Sequence, residues 1–207
     1  MISSKAIPVV QLNKIFRQAA KSKIIVNAHN VNEGKGFISN EKSEEQDNDF
    51  FYINEESKDK ILYQVISLCK ERLAHYGNYD FFKDMQVLTP TKKGSLGTKE
   101  LNKNLQEALN PRSDLKEERQ YGEQIYRVGD RVMQIKNNYD IYWTKGEENG
   151  TGIFNGEIGR VVHIDHEAKQ IKIIYDDEKN VWYQFSELEQ IEHAYAITIH
   201  KAQRKWI

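Results

Sequence analysis

The feature that most constrains this chain is a change of period at Pro111. Before it, apolar residues recur at helical spacing, as in Ile61, Leu62, Val65, Ile66, Leu68, Cys69 and Leu73. After a charged linker, residues 112–122, the spacing becomes two, and 130–135, 157–164, 169–175 and 181–185 read as short strands. Their turns are glycine-containing or polar: Gly129-Asp130, Asn155-Gly156, 165–167 and 176–178. Several short strands within about 70 residues predict a small barrel rather than a βαβ unit.

The flanking segments carry a different style. A strand at 86–89, a glycine-containing loop and a helix from Lys99 to Leu109 capped by Thr98 form half of a parallel α/β unit. Further upstream, Ile24, Ile25, Ala28 and Val31 give an amphipathic helix closed by Gly34 and Gly36, and Phe50 to Ile53 reads as a compact strand. Ser57 is the N-cap of the long helix that ends near Gly77, and Cys69 lies on its buried face as a packing residue. The segment from Ser39 to Asn48 is acidic and reads as an exposed loop. Beyond the barrel, Ala194 to Ile199 is a buried strand with β-branched Ile197, Thr198 and Ile199, running into a polar turn of His200, Lys201 and Gln203. In open α/β sheets such a carboxyl edge is where ligands bind. An ordinary last strand with a solvated tail fits the same spacing.

Composition narrows the class. With 207 residues, 39% of them hydrophobic and 11% aromatic, the chain can build a core. Its single cysteine excludes an intramolecular disulfide and a cysteine-rich zinc site, and no apolar run reaches the roughly 20 residues that span a bilayer. A cytoplasmic location without a membrane partner is expected. The net charge of -1 is unevenly spread: residues 1–36 hold six Lys or Arg against one Glu, residues 40–59 hold eight acids against two Lys, and residues from 193 onward add three positive charges. Basic ends that meet in space would form a phosphate-binding patch, while solvated faces would give the same counts. His163 and His166 lie three apart with no cysteine partners, so no metal site is expected. Tyr139, Tyr142, Trp143, Phe154, Trp182 and Tyr183 cluster in the barrel; they could stack on single-stranded bases, but Phe154 and Trp182 read as packing residues.

Several stretches of this sequence resemble one family. Ala194-Tyr195-Ala196-Ile197-Thr198-Ile199-His200-Lys201-Ala202-Gln203 resembles motif V of the RecD-like superfamily 1 ATP-dependent DNA helicases, the exodeoxyribonuclease V alpha family, and Ile15-Phe16-Arg17-Gln18 resembles their motif IV. The run from Val87 to Pro111, with Pro90, Gly94, Gly97, Thr98, Leu101, Asn102, Leu105 and Gln106 in register, is similar to their second motor domain. Val128-Gly129-Asp130-Arg131-Val132-Met133-Gln134, then Phe154-Asn155-Gly156-Glu157-Ile158-Gly159, resembles their inserted SH3-like domain. The resemblance implies an α/β RecA-like second motor domain, incomplete, with an inserted all-β SH3-like barrel: 1–113 motor domain, 114–190 barrel, 191–207 return to the motor domain.

It also implies roles. Arg17, which taken alone reads as a surface arginine, would be the catalytic group reaching the ATP γ-phosphate across the interdomain cleft, with Gln18 beside it; a planar fork of donors suits that charge. Thr198 and His200 would face single-stranded DNA, Lys201 and Gln203 would sit between DNA and nucleotide, and Pro90 and Thr91 would contact the DNA backbone. The Asn27, Ala28, His29 and Asn32 pattern of the family is present, with His29 in a structural role. ATP and Mg²⁺ are the cofactors of the full-length enzyme, none being expected on this chain alone, and the partners are single-stranded DNA and the N-terminal ATP-binding domain of the same helicase. No Gly-Lys-Ser/Thr loop occurs in these residues, so ATP hydrolysis by this chain alone is not expected. The family continues motif V with Gly-Ser, where this chain has Arg204-Lys205-Trp206-Ile207; one inserted base would produce that reading, and an uninterrupted gene without motif VI in the neighbouring frame would rule it out. The competing reading is a stand-alone SH3-like module that binds nucleic acid or protein. A nuclease is the weakest, because the carboxylates fall in loops without metal spacing.

Overall fold

The computed structural model describes residues 22–38 and 49–203. They fall into two units divided after Glu55, each taken by itself.

In the first, α1 (Lys23–Asn32) starts where the Ser22 hydroxyl accepts the Ile25 N–H. Asn27 is buried and serves as a strand-like partner for Ile38, accepting its N–H at 2.7 Å and donating to its carbonyl at 3.0 Å. His29 is exposed on this helix. The strand expected at Phe50 to Ile53 is not formed. No strand pairs with it among the described residues; its aromatics instead meet Phe37, whose ring lies 4.6 Å from Tyr52 and 6.1 Å from Phe50.

The second unit begins with α2 (Lys58–Ser67), passes through one wide π turn (Leu68–Arg72) and continues as α3 (Leu73–Gly77). Ser57 takes the N-cap position and Asn78, with φ 56°, ends the run in the left-handed region. Cys69 is buried in the π turn, and burial pushes its thiol up to about 11, as a packing residue requires. A single turn, α4 (Phe81–Asp84), is capped by Asp80, whose Oδ1 accepts from the Phe82 and Lys83 N–H groups. Then follow β1 (Val87–Thr89) and α5 (Thr98–Leu109), whose N-cap is Gly97 rather than the expected Thr98. Leu101 and Leu105 of α5 pack with Phe81, Cys69 and Tyr195.

The β region opens with a hairpin of β2 (Glu118–Tyr121) and β3 (Gln124–Arg127). Seven antiparallel strands then form one sheet: β4 (Arg131–Gln134), β5 (Asn138–Lys145), β6 (Glu148–Ile153), β7 (Ile158–Asp165), β8 (Gln170–Tyr175), β9 (Asn180–Gln184) and β10 (Ile191–His193), in spatial order β10-β4-β7-β8-β9-β5-β6. Ile153 and Ile141 from one end of that order share a core with Val132 and Ile191 from the other, together with Ile171, Ile173, Val181 and Tyr183. The sheet thus curls around a single apolar interior. Residues 191–193 pair with Val132–Gln134, so this sheet extends three residues past the boundary expected at 190. Phe154 and Trp182, expected to pack inside, are each 42% exposed: Val181 and Tyr183 take the inward positions of β9, which turns Trp182 out.

β11 (Ala196–Thr198) leaves the sheet and pairs in parallel with β1, Thr89 opposite Thr198, while α5 packs against it. The strand is three residues long, shorter than the expected span from Ala194 to Ile199, because Ile199 already starts α6 (Ile199–Gln203).

Gly159 lies where β7 and β8 approach closely. A methyl group there would meet the Ile174 carbonyl oxygen at 2.7 Å and Tyr175 Cα at 3.0 Å, both backbone atoms that cannot swing away. Gly159→Ala is expected to destabilise the fold by about 1–3 kcal/mol, read as a lower urea midpoint; an unchanged midpoint would mean that β7 and β8 are not this close.

Candidate functional site

Parallel pairing ends β1 and β11 side by side, so the residues that follow both strands emerge at one edge. Pro90 and Thr91 leave β1 exposed; Ile199 and His200 leave β11 exposed, and α6 packs on β1. Four of the expected DNA contacts, Pro90, Thr91, Thr198 and His200, therefore share this edge. Their side chains differ in availability. Thr198 is buried, and its Oγ1 accepts the Lys201 N–H at 3.4 Å, so the hydroxyl starts α6 as a cap does. The Thr91 hydroxyl donates to the Lys93 carbonyl at 2.5 Å and the Thr89 hydroxyl to the Leu96 carbonyl at 2.7 Å, which ties the loop after β1 back on itself. His200 is exposed, and among the described residues no side-chain hydrogen bond fixes it.

Of the expected nucleotide contacts, Arg17 and Gln18 lie outside the described residues, and Gln203 is described only through its backbone at the end of α6. Lys201 donates to Glu192 Oε2 at 3.0 Å. That ion pair borders a cleft of about 910 Å³ between α5 and β11 on one side and the β2–β3 hairpin and β10 on the other. Lys92, Lys93, Lys99 and Lys103 line it from the α/β side, and Lys99 pairs with Glu123 across the mouth.

Sequence reasoning missed the most heavily bonded group in the second unit. Asp130, read as half of a Gly-Asp turn, has no solvent-exposed surface. Its Oδ1 accepts from the Asn110 amide at 2.7 Å and the Tyr195 hydroxyl at 2.8 Å; its Oδ2 accepts from the Gln106 amide at 2.6 Å and the Arg127 N–H at 2.7 Å, and lies 3.1 Å from His193 Nε2. Burial alone would push this carboxyl up, but the bonds from His193, Arg127 and Asn110 outweigh it and hold the group below the usual carboxylate range. Asn102 also acts at long range: its amide donates to the His193 and Ala196 carbonyls at 3.1 and 3.0 Å and accepts the Ala196 N–H at 2.8 Å.

On the barrel exterior, His163, Lys172 and Trp182 stand in one cross-strand row, with the Lys172 ammonium 5.8 Å from the indole and the His163 ring edge-on at 5.9 Å. Tyr139 and Phe154 form a second exposed pair at 5.5 Å. Among the described residues no three His, Cys, Asp or Glu side chains are grouped as a metal site, and no helix is long and apolar enough to cross a membrane.

Comparison with known proteins adds sequence relationships to this geometry. Residues 101–175 match the SH3 domain of ATP-dependent RecD-like DNA helicases. The chain is 31% identical over 201 residues to the ATP-dependent RecD2 DNA helicase of Deinococcus radiodurans, covering 97% of this chain and 24% of that protein. It is also 31% identical over 142 residues to an uncharacterised protein of Methanocaldococcus jannaschii, covering 60% of this chain and 12% of the other. A structure of two coordinating Pif1 helicases at forked DNA superposes with a TM-score of 0.45 at 18% identity, over 92% of this chain and 40% of that one. The chain thus spans about a quarter of the length of its RecD2 relative.

Proposed function

From a chain that carries the SH3 domain of the RecD-like DNA helicases and matches one segment of such an enzyme along nearly its whole length, we propose a role as part of a RecD-like helicase motor. In this reading residues 1–113 are the first part of an incomplete RecA-like second motor domain, 114–190 its inserted barrel, and 191–207 the return carrying motif V. The parent machine is an ATP-dependent 5′ to 3′ DNA helicase, and this chain contributes single-stranded DNA contacts and the arginine that completes the ATP site. The observation that carries the reading is the parallel register of β1 and β11, which delivers Pro90, Thr91 and His200 to one sheet edge.

In the full enzyme ATP would supply the energy through hydrolysis and Mg²⁺ would neutralise the phosphate charge. The residues here fit only a supporting part of that site. Of the four proposed nucleotide contacts, Lys201 is the one whose side chain is described, and its ammonium is held by Glu192. Arg17 would offer its guanidinium to developing phosphate charge from the facing side, with Gln18 next to it, and Gln203 would follow Lys201 toward the nucleotide. The phosphate-cradling loop belongs to the N-terminal ATP-binding domain that this chain would partner, so the chain alone is not expected to hydrolyse ATP.

Fluorescence anisotropy with a labelled single-stranded oligonucleotide tests the reading. Binding should weaken steadily as salt rises, because phosphate contacts release counterions. His200→Ala should weaken it by about fivefold or more if the exposed ring packs on a base. No binding at low salt would sink the motor reading. The second reading, a stand-alone SH3-like module for nucleic acid or protein, is favoured by the exposed Trp182, whose ring both Lys172 and His163 approach. Binding abolished by Trp182→Ala and untouched by His200→Ala would select it.

A further inference from the structure

The donors that converge on Asp130 come from four places: Gln106 in α5 and Asn110 at its C-cap, Arg127 from β3, His193 from β10, and Tyr195 from the step into β11. A carboxylate offers about four lone-pair sites and is an acceptor alone, at both oxygens, only when ionised. Here five donors share one charge, and they belong to both the helical layer and the barrel. Two further ties join the same parts. Arg131 donates to the Phe81 and Met85 carbonyls at 3.0 and 2.9 Å, and the Arg160 guanidinium lies 4.4 Å over the Phe82 ring. Three residues beyond Tyr195 stands Thr198, and His200 follows.

We infer that Asp130 is a positioning residue: through Tyr195 and His193 it fixes where β11 and α6, which bear Thr198 and His200, lie against the barrel, so that barrel and strand–helix edge turn as one body. A ligand that displaces this edge then displaces the barrel with it. What the edge binds rests on the proposed function; the mechanical coupling does not. Charge is essential to the arrangement, because an amide in place of the carboxylate would aim its own N–H groups at two or more of the five donors. Tyr195 is the thread that leads into β11, since its hydroxyl bonds Oδ1 while its ring stacks on Phe81 at 5.9 Å.

The test is native-state hydrogen exchange on the full 207-residue chain without DNA, comparing the wild type with Asp130→Asn and with the milder Tyr195→Phe. The reporters are the Ala196 and Ile197 amides of β11 and the Ile173 and Val181 amides of the barrel. Both variants should speed β11 exchange by about tenfold or more relative to barrel exchange, as loss of a bond to a charged group predicts. That regional split is the readout that a general loss of stability does not produce. Equal acceleration in both regions, or no change at β11 in Tyr195→Phe, would overturn the inference. Oligonucleotide binding by the same wild-type sample is scored separately: its absence counts against the motor reading alone, and an absent split counts against the positioning role alone.

Discussion

Asp130→Ala is expected to lower folding stability by about 3–5 kcal/mol at neutral pH, the usual result of removing one partner from a buried charged cluster. The donors of Gln106, Asn110, Arg127, His193 and Tyr195 would lose their shared acceptor, in a site with no exposed surface where water does not replace it. The pH dependence has a definite sign. The folded carboxyl lies below its unfolded value of about 3.9, so its stabilisation is fully present above roughly pH 4 and is lost as pH falls through the depressed folded value. The gap between wild type and Asp130→Ala should therefore be widest near pH 7 and should narrow below about pH 4. Urea titrations followed by tryptophan fluorescence at both pH values check this, and a gap of equal size at each would show that the carboxylate's charge is not what matters.

Ile173→Ala should cost a comparable ~2–5 kcal/mol with no such pH signature. Ile173 has no exposed surface and faces Val161 on one neighbouring strand and Val181 on the other, all three in the barrel core. Deleting three carbons leaves a void that the pinned strands β7 and β9 cannot collapse to fill. The substitution removes no titratable group, so the loss should be the same at pH 7 and at pH 4. A loss below about 1 kcal/mol would mean the interior is loosely packed. Together the two variants separate charge-based fixation at the edge of the barrel from close packing at its centre.

The parts legible in the sequence were those encoded by near neighbours. Val87 to Thr89 followed by a loop and a periodic helix announces a parallel α/β half-unit, and the β8 alternation Ile171, Ile173, Tyr175 gives that strand's inward face directly. The β5–β6 hairpin was missed for a physical reason. A register shift between Asn138 and Tyr142 breaks the period of β5, and β6 carries Asn149, Gly150 and Gly152, residues that read as turn. Gly150 is there because Trp143 lies across it: a methyl group would sit 2.7 Å from the indole. The site divides in the same way. His200 and Pro90 could be placed at a strand end from local sequence, but that Thr198 would spend its hydroxyl on α6, or Lys201 its ammonium on Glu192, depends on how the chain closes. Asp130 depends on closure altogether, since its partners include residues 20 and 24 positions before it and 63 and 65 after it. Nothing adjacent to Asp130 could reveal them.

Asn102 sets a direction of growth for the small parallel sheet. Its amide already occupies the outward N–H and C=O of Ala196, so on that flank the first rung where a further strand would pair is filled by a side chain from α5. The opposite flank carries no pairing strand among the described residues, and there Leu88 in the middle of β1 keeps 48% of its surface in solvent. Strand addition is thus one-sided. Among the described residues, a neighbour that enlarges this sheet, from the same polypeptide or another, finds its pairing flank along β1, the kind of edge at which unwanted strand-to-strand association begins.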